Sequence, residues 1–308
     1  MTSSITQIRK RVFMKNHWAA IAMALCIATV SAAAAETPST TESVMTMRVD
    51  GEIAIDPQGK VLDYRIDTKL EPAVRAQLDK AIPKWNFMPV SIHGKPSAVK
   101  SKMRITMAAQ EVKSGYAVSV DNVVFSDDRV PTSTMLTMSP GAEPVADISA
   151  KSMRPPGYPT GLMRVGIAGV VLLYVRITPE GKVGEVAAVQ SALFNVKGRD
   201  GTMAEALNLL EKNTITAAKK WTFNVPARRA SADPAMMTVA IPVNYVMDKK
   251  SNDTPGQWRV EVRGSRQSAP WLAGSMLTQQ VGVSDLASGE IMPLGSRMQL
   301  RGDTGKAL

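Results

Sequence analysis

The feature that most constrains this chain is an internal repeat. Ile53-Ala-Ile-Asp-Pro-Gln-Gly-Lys-Val61 is matched position for position by Val175-Arg-Ile-Thr-Pro-Glu-Gly-Lys-Val183, and Trp85-Asn-Phe87 is matched by Trp221-Thr-Phe223. Two copies give two modules, because a solenoid needs three or more stacked units. The interval from Gly59 to Trp85 is shorter than that from Gly181 to Trp221, which puts an insertion in the second copy around Asn195 to Gly201.

Each copy predicts the same elements. Met45, Met47, Val49, Gly51, Ile53 and Ile55 alternate at period two, as do Val171, Leu173, Val175 and Ile177, the pattern of a half-buried strand. The Pro-x-Gly-Lys segment then turns the chain: proline presets φ and glycine accepts positive φ. A second alternating run follows (Leu62, Tyr64, Ile66; Val183 to Val189), which completes a β-hairpin. Helical spacing comes next, in Leu70, Val74, Leu78, Ala81 and Trp85, and again in Met203, Leu207, Leu210, Thr214, Ala217 and Trp221. Pro83 must break or kink the first helix just ahead of its tryptophan. A third strand closes each unit, Val99 to Met107 and Met237 to Tyr245. Pro242 cannot donate to a ladder, which predicts an edge position for the latter. The fold class is therefore α+β: two modules, each a three-stranded antiparallel β-β-α-β sheet with a helix on one face.

The boundaries follow from composition. Residues 1–35 carry Arg9, Lys10, Arg11 and Lys15, then an apolar run from Trp18 to Val30 and the small residues Ala33-Ala34-Ala35. These are the three parts of a secretory signal, with an uncleaved membrane anchor as the alternative. Module 1 spans 43–125, including an extra alternating run from Tyr116 to Phe125. A Pro/Ser/Thr-rich linker spans 126–159 and module 2 spans 160–248. Residues 249–308 read as a mostly disordered tail, with Trp258 to Val262 as one more candidate strand. The lone cysteine, Cys26, lies in the leader, so the exported portion has no disulfide and each module must hold itself by its core. The net charge of +10 is partly the leader's and gives no argument for nucleic-acid binding.

No catalytic constellation emerges. His17 is in the leader and His93 sits in a predicted loop, so a zinc site of ordinary ligands cannot be built. Asp127-Asp128 reads as an exposed loop pair, and the glycines near Gly161, Gly166 and Gly169 lack the Gly-Lys-Ser/Thr of a phosphate loop. Trp85 and Trp221 read as core anchors and the 19 methionines as core filler. Lys100, Lys102 and Arg104 share the outward face of one strand, where they either guard an edge or meet an acidic partner.

The second module resembles the C-terminal domain of the TonB family. The resemblance runs through Pro156-Gly-Tyr-Pro159, the strand Gly166 to Ile177, Gly181-Lys-Val183, Ala217-Ala-Lys-Lys-Trp-Thr-Phe223 and Val239-Ala-Ile-Pro-Val-Asn-Tyr245. The first module resembles the same domain more weakly, through Trp85-Asn-Phe-Met-Pro89 and Gly94-Lys-Pro96. The resemblance implies a non-enzymatic, cofactor-free periplasmic protein that binds extended segments of envelope or outer-membrane receptor proteins by edge-strand addition. The matching edge is Met237, Val239, Ile241, Val243 and Tyr245, so Val239→Pro is expected to abolish binding and leave the module folded. The alternative is a transducer anchored in the inner membrane, facing the periplasm and working with inner-membrane motor proteins. The short stretch from Ala35 to Met45 cannot cross a periplasm even extended at roughly 3.5 Å per residue, which favours the secreted reading.

Overall fold

The chain was described from a computed structural model, which covers residues 41–92, 94–113, 115–129, 148–194, 196, 198–227, 237–247, 254–273 and 279–302. The leader, His93, most of the linker and residues 248–253 lie outside the described residues, and so does the expectation attached to each.

Both repeats fold as the alternation predicts. Strand β1 (Thr41–Ile55) turns into β2 (Val61–Ile66), and the second hairpin joins β8 (Ala168–Ile177) to β9 (Val183–Phe194). The turns close identically: Gly59 N–H donates to Asp56 O and Gly181 N–H to Thr178 O, with φ of +84° and +79° at the glycines. The repeated aromatic motif then clamps each turn, Phe87 N–H on Gly59 O at 2.8 Å and Phe223 N–H on Gly181 O at 2.7 Å. A β-carbon on either glycine would sit 2.2 Å from Phe87 O or 2.0 Å from Phe223 O, so both positions require glycine.

Between these elements run α1 (Pro72–Ala81) and tiny strands β3 (Ser91–Ile92) and β4 (Lys95–Pro96). A hairpin of β5 (Val99–Val112) and β6 (Gly115–Arg129) follows. Pro83 sits in a 3-10 turn, Ile82–Lys84, that ends the first helix and swings Trp85 into extended backbone. Residues 149–152 of the predicted linker form β7 (Ser149–Ser152). Short helix α2 (Thr160–Arg164), long helix α3 (Asp200–Ala218), β10 (Thr222–Asn224) and β11 (Thr238–Tyr245) complete the second copy. Its extra length lies chiefly in a longer β9 and a longer helix.

The modules are not separate sheets. Among the described residues nine strands form one sheet, in the order β13 (Met292–Pro293), β11, β8, β9, β12 (Arg259–Gly264), β1, β5 and β6, with β2 beside the second half of β1. Strand β12 (Arg259–Gly264) joins the halves, pairing Thr41–Thr46 of β1 on one side and Ala192–Phe194 of β9 on the other. Glu261, fully buried on β12, accepts from Arg259 and from Ser284 Oγ at 2.6 Å, while Arg263 binds Asp121 and Glu42.

Helices cover one face. Met203, Ala206, Leu207 and Leu210 of α3 pack on Val171, Leu173, Val175, Val239 and Ile241, and Leu78 packs in the core of the first half with Val49, Ile53, Ile105 and Phe87. The other face is covered by the segment expected to be disordered. Val281, Val283, Leu286, Met292 and Leu294 are buried there against Val170, Leu172, Tyr174, Val189 and Ala240. This segment ends in β13 (Met292–Pro293) and then crosses to the first half, where Leu300 bridges to Phe87. The expectation failed because the tail has no period of its own: it lies irregularly on an apolar face that the strands had already built.

Candidate functional site

The β11 strand carries the residues singled out by the resemblance. Its register with β8 is fixed by Val239↔Val175 and Tyr245↔Gly169, and Ile177 N–H donates to Met237 O at 2.8 Å. Hydrogen-bonded pairs alternate in an antiparallel ladder. The backbone groups of Met237, Val239, Ile241, Val243 and Tyr245 therefore face β8, and four of their side chains, from Val239 to Tyr245, lie in the helix-side core. The groups that face outward belong to Thr238, Ala240, Pro242 and Asn244. Val239→Pro would thus break the inner ladder, correcting the sequence-based expectation for that variant.

The outward edge is half occupied. β13 pairs with Val239 and Ala240, and Leu294 N–H donates to Thr238 O at 3.1 Å. The next outward position is Pro242, which has no N–H with which to continue the ladder. Beyond it, the carbonyls of Pro242 and Asn244 and the N–H of Asn244 have no ladder partner among the described residues. Exposed apolar side chains gather at this end: Val246 and Met247 follow β11, Met163 and Val165 follow from α2, and the Met247 methyl lies 3.6 Å from where a Gly166 β-carbon would be.

The Pro156-Gly-Tyr-Pro159 motif fixes the same end. The Tyr158 ring meets Tyr245 edge-on at 5.3 Å, and its hydroxyl donates to Ile167 O. The Tyr245 hydroxyl is held by Thr214 Oγ1 at 2.7 Å and Asn213 Nδ2 at 3.0 Å. Burial pushes both tyrosine hydroxyls above their ordinary pKa, so they act as neutral struts.

The basic face of β5 is a different matter. β5 is an inner strand, with β1 on one side and β6 along Lys100 to Val112 on the other, so its charges guard no edge. Lys100 pairs with Glu52 at 2.9 Å, and Arg104 binds Asp50 at 2.7 Å, Glu290 at 2.6 Å and Asp285 O at 2.9 Å. Burial opposes the charge on Arg104, but Glu290 and Asp50 outweigh it and raise the guanidinium pKa. The acidic partner of this face is the chain's own tail and β1; Lys102 alone stays exposed. Sequence reasoning missed Asp285, which is fully buried and accepts from Thr106, Asn122 and Gly282 N–H.

Among the described residues no group of three or more His, Cys, Asp or Glu could hold a metal ion, and no helix is long and apolar enough to cross a membrane.

Comparison with known proteins gives one kind of relative. Over 102 residues the chain is 33% identical to the protein TonB of Xanthomonas campestris pv. campestris, with the same figures in two strains. The match covers 33% of this chain and 39% of the relative, so the chain spans well under half the length of the curated proteins it matches. No family model matches the chain, and no solved structure matches it. What the similarity gives is a TonB-like stretch within a sheet-rich α+β fold.

Proposed function

We propose that this is a non-enzymatic protein of the bacterial envelope that grips extended segments of envelope or outer-membrane receptor proteins by strand addition to the open half of β11. The observation that carries the reading is the outward backbone at Pro242 and Asn244, which has no ladder partner among the described residues and ends among Val246, Met247, Met163 and Val165. Main-chain bonds there supply affinity without regard to sequence, and the apolar rim supplies a preference for hydrophobic side chains. The similarity to TonB and the leader-like N-terminus support an exported, periplasmic location, and the internal repeat supports a tandem arrangement of two TonB-like units. A second reading, an inner-membrane-anchored transducer working with motor proteins, is supported by the same similarity. It requires that the leader be retained.

The test is Asn244→Pro. This removes the outward donor and leaves the bonds of Val243 and Tyr245 to β8. Binding of a labelled outer-membrane-receptor peptide, read by fluorescence anisotropy, should fall tenfold or more at an unchanged unfolding midpoint. Undiminished binding by the folded variant overturns the β11 site. Intact mass of the fractionated protein separates the two readings: a soluble species starting at Glu36 rejects the transducer, and a membrane species retaining Trp18 supports it.

A further inference from the structure

Three segments distant in sequence bring five cations to the turn end of the second copy. Within the turn, Lys182 is bridged to Thr222 of β10. β10 pairs with β7, Thr222 opposite Ser152 and Phe223 opposite Ala150, which leaves Lys151 as the extra residue between them. Arg154 follows, its carbonyl taking the Trp221 indole N–H at 2.8 Å. Lys219 and Lys220 arrive from the end of α3, immediately ahead of Trp221. Trp221 and Phe223 point into the core, so Thr222 faces outward, and Lys182 opposite it shares that face. All five basic side chains are exposed, and none pairs with a carboxylate among the described residues. The carboxylate of the turn itself, Glu180, is held below the usual range by the Thr178 hydroxyl first and by its own backbone next.

Capping of α3 accounts for Lys219 and Lys220 at most, because only cations at a helix C-terminus meet its free carbonyls. Lys182, Lys151 and Arg154 stand on other elements. The first copy is not equivalent at this place. There Pro83 stands for Lys219, Asp56 stands for Thr178, and Asn86 Oδ1 takes Lys60 Nζ. The kind of anion follows from the kind of cation. Four of the five are lysines, flexible point charges rather than the planar forks that read a single carboxylate or phosphate. Among the described residues, none of the large exposed apolar side chains lies in these segments, so a protein partner would lack its usual anchor. Flexible cations without such an anchor suit a surface of many mobile anions.

We infer that Lys151, Arg154, Lys182, Lys219 and Lys220 form a docking surface for a membrane rich in anionic phospholipid headgroups. The surface lies at the start of β11, where Thr238 pairs with Arg176. The open backbone at Pro242 and Asn244 is about 20 Å further along that strand, so docking would leave it clear of lipid. The assignment stands without the role proposed for β11.

The experiment uses the exported chain and sedimentation with two kinds of vesicle, phosphatidylcholine alone and phosphatidylcholine with phosphatidylglycerol in equal parts. The chain should bind the anionic vesicles, less so as salt rises, and bind the neutral ones little. Each basic side chain near an anionic surface is worth about fivefold in binding. Lys182→Glu with Lys220→Glu should therefore weaken binding at least tenfold, and Lys182→Gln with Lys220→Gln should fall between that pair and the parent. Lys60→Glu with Lys84→Glu makes the same charge change at the matching positions of the first copy, and should cost no more than about twofold. Asn244→Pro should leave vesicle binding unchanged. Unfolding midpoints of the reversed pairs should match the parent, since all four lysines are exposed. Equal binding to both vesicles overturns the proposal, as do equal losses in the two reversed pairs. So does capture of polyglutamate by a chain that ignores the anionic vesicles.

Discussion

Replacing Leu294 with alanine tests whether the segment 279–302 is part of the core. Leu294 is fully buried in the cluster of Leu172, Tyr174, Ala240 and Met292. Its backbone is pinned on both sides, with N–H on Thr238 O at 3.1 Å and C=O taking Gln279 N–H at 3.2 Å. Pinned surroundings cannot close over the space left behind, so the loss includes a cavity term as well as lost transfer energy. Buried leucine-to-alanine changes cost about 2–5 kcal/mol. At a urea dependence near 3 kcal/mol per molar, a loss of about 3 kcal/mol lowers the unfolding midpoint by about 1 M. The control is Leu209→Ala, on the exposed side of α3, which should change stability by no more than about 0.5 kcal/mol. Urea titrations followed by tryptophan fluorescence and circular dichroism measure both. If Leu294→Ala proves as neutral as Leu209→Ala, the tail is not a structural layer, and the account of the second sheet face falls with it.

Two further outcomes follow from the geometry. Gly59→Ala and Gly181→Ala each place a β-carbon at positive φ against a carbonyl oxygen and should destabilise by about 2–4 kcal/mol, seen as one cooperative transition because β12 joins the halves. Two separate transitions, or a neutral substitution, would count against that coupling. Burial raises the carboxyl of Asp285, while bonds from Thr106, Gly282 and Asn122 and the charge of Arg266 pull it down less strongly. The folded state therefore holds its proton more tightly than the unfolded one. The associated stability is complete below an unfolded aspartate pKa of about 3.9 and is lost as pH rises through the higher folded value. Asp285→Asn should flatten that fall in urea midpoints taken from pH 4 upward, and parallel curves for the two proteins would refute the assignment.

What the sequence alone determined is local. Period-two alternation, the Pro-x-Gly-Lys turns and the helical spacing toward each tryptophan located both hairpins, α1, α3 and the closing strands, because each pattern records one element's own buried face. The repeat showed that Trp-x-Phe recurs, and the structure supplies the reason for its phenylalanine, the clamp of Phe87 and Phe223 on the turn glycines. The site was legible only to the strand. Which residues of β11 turn their backbone outward is a property of its register with β8, and a shift of one residue exchanges the two sets. Tertiary structure decided the rest. β12 merges two modules into one sheet, β6 makes an inner strand of β5, and the aperiodic segment from Gln279 to Arg301 becomes a covering layer. None of these could be read from a local pattern, because a segment that packs irregularly onto an existing apolar face needs only scattered buried side chains, and their burial depends on residues a hundred positions away.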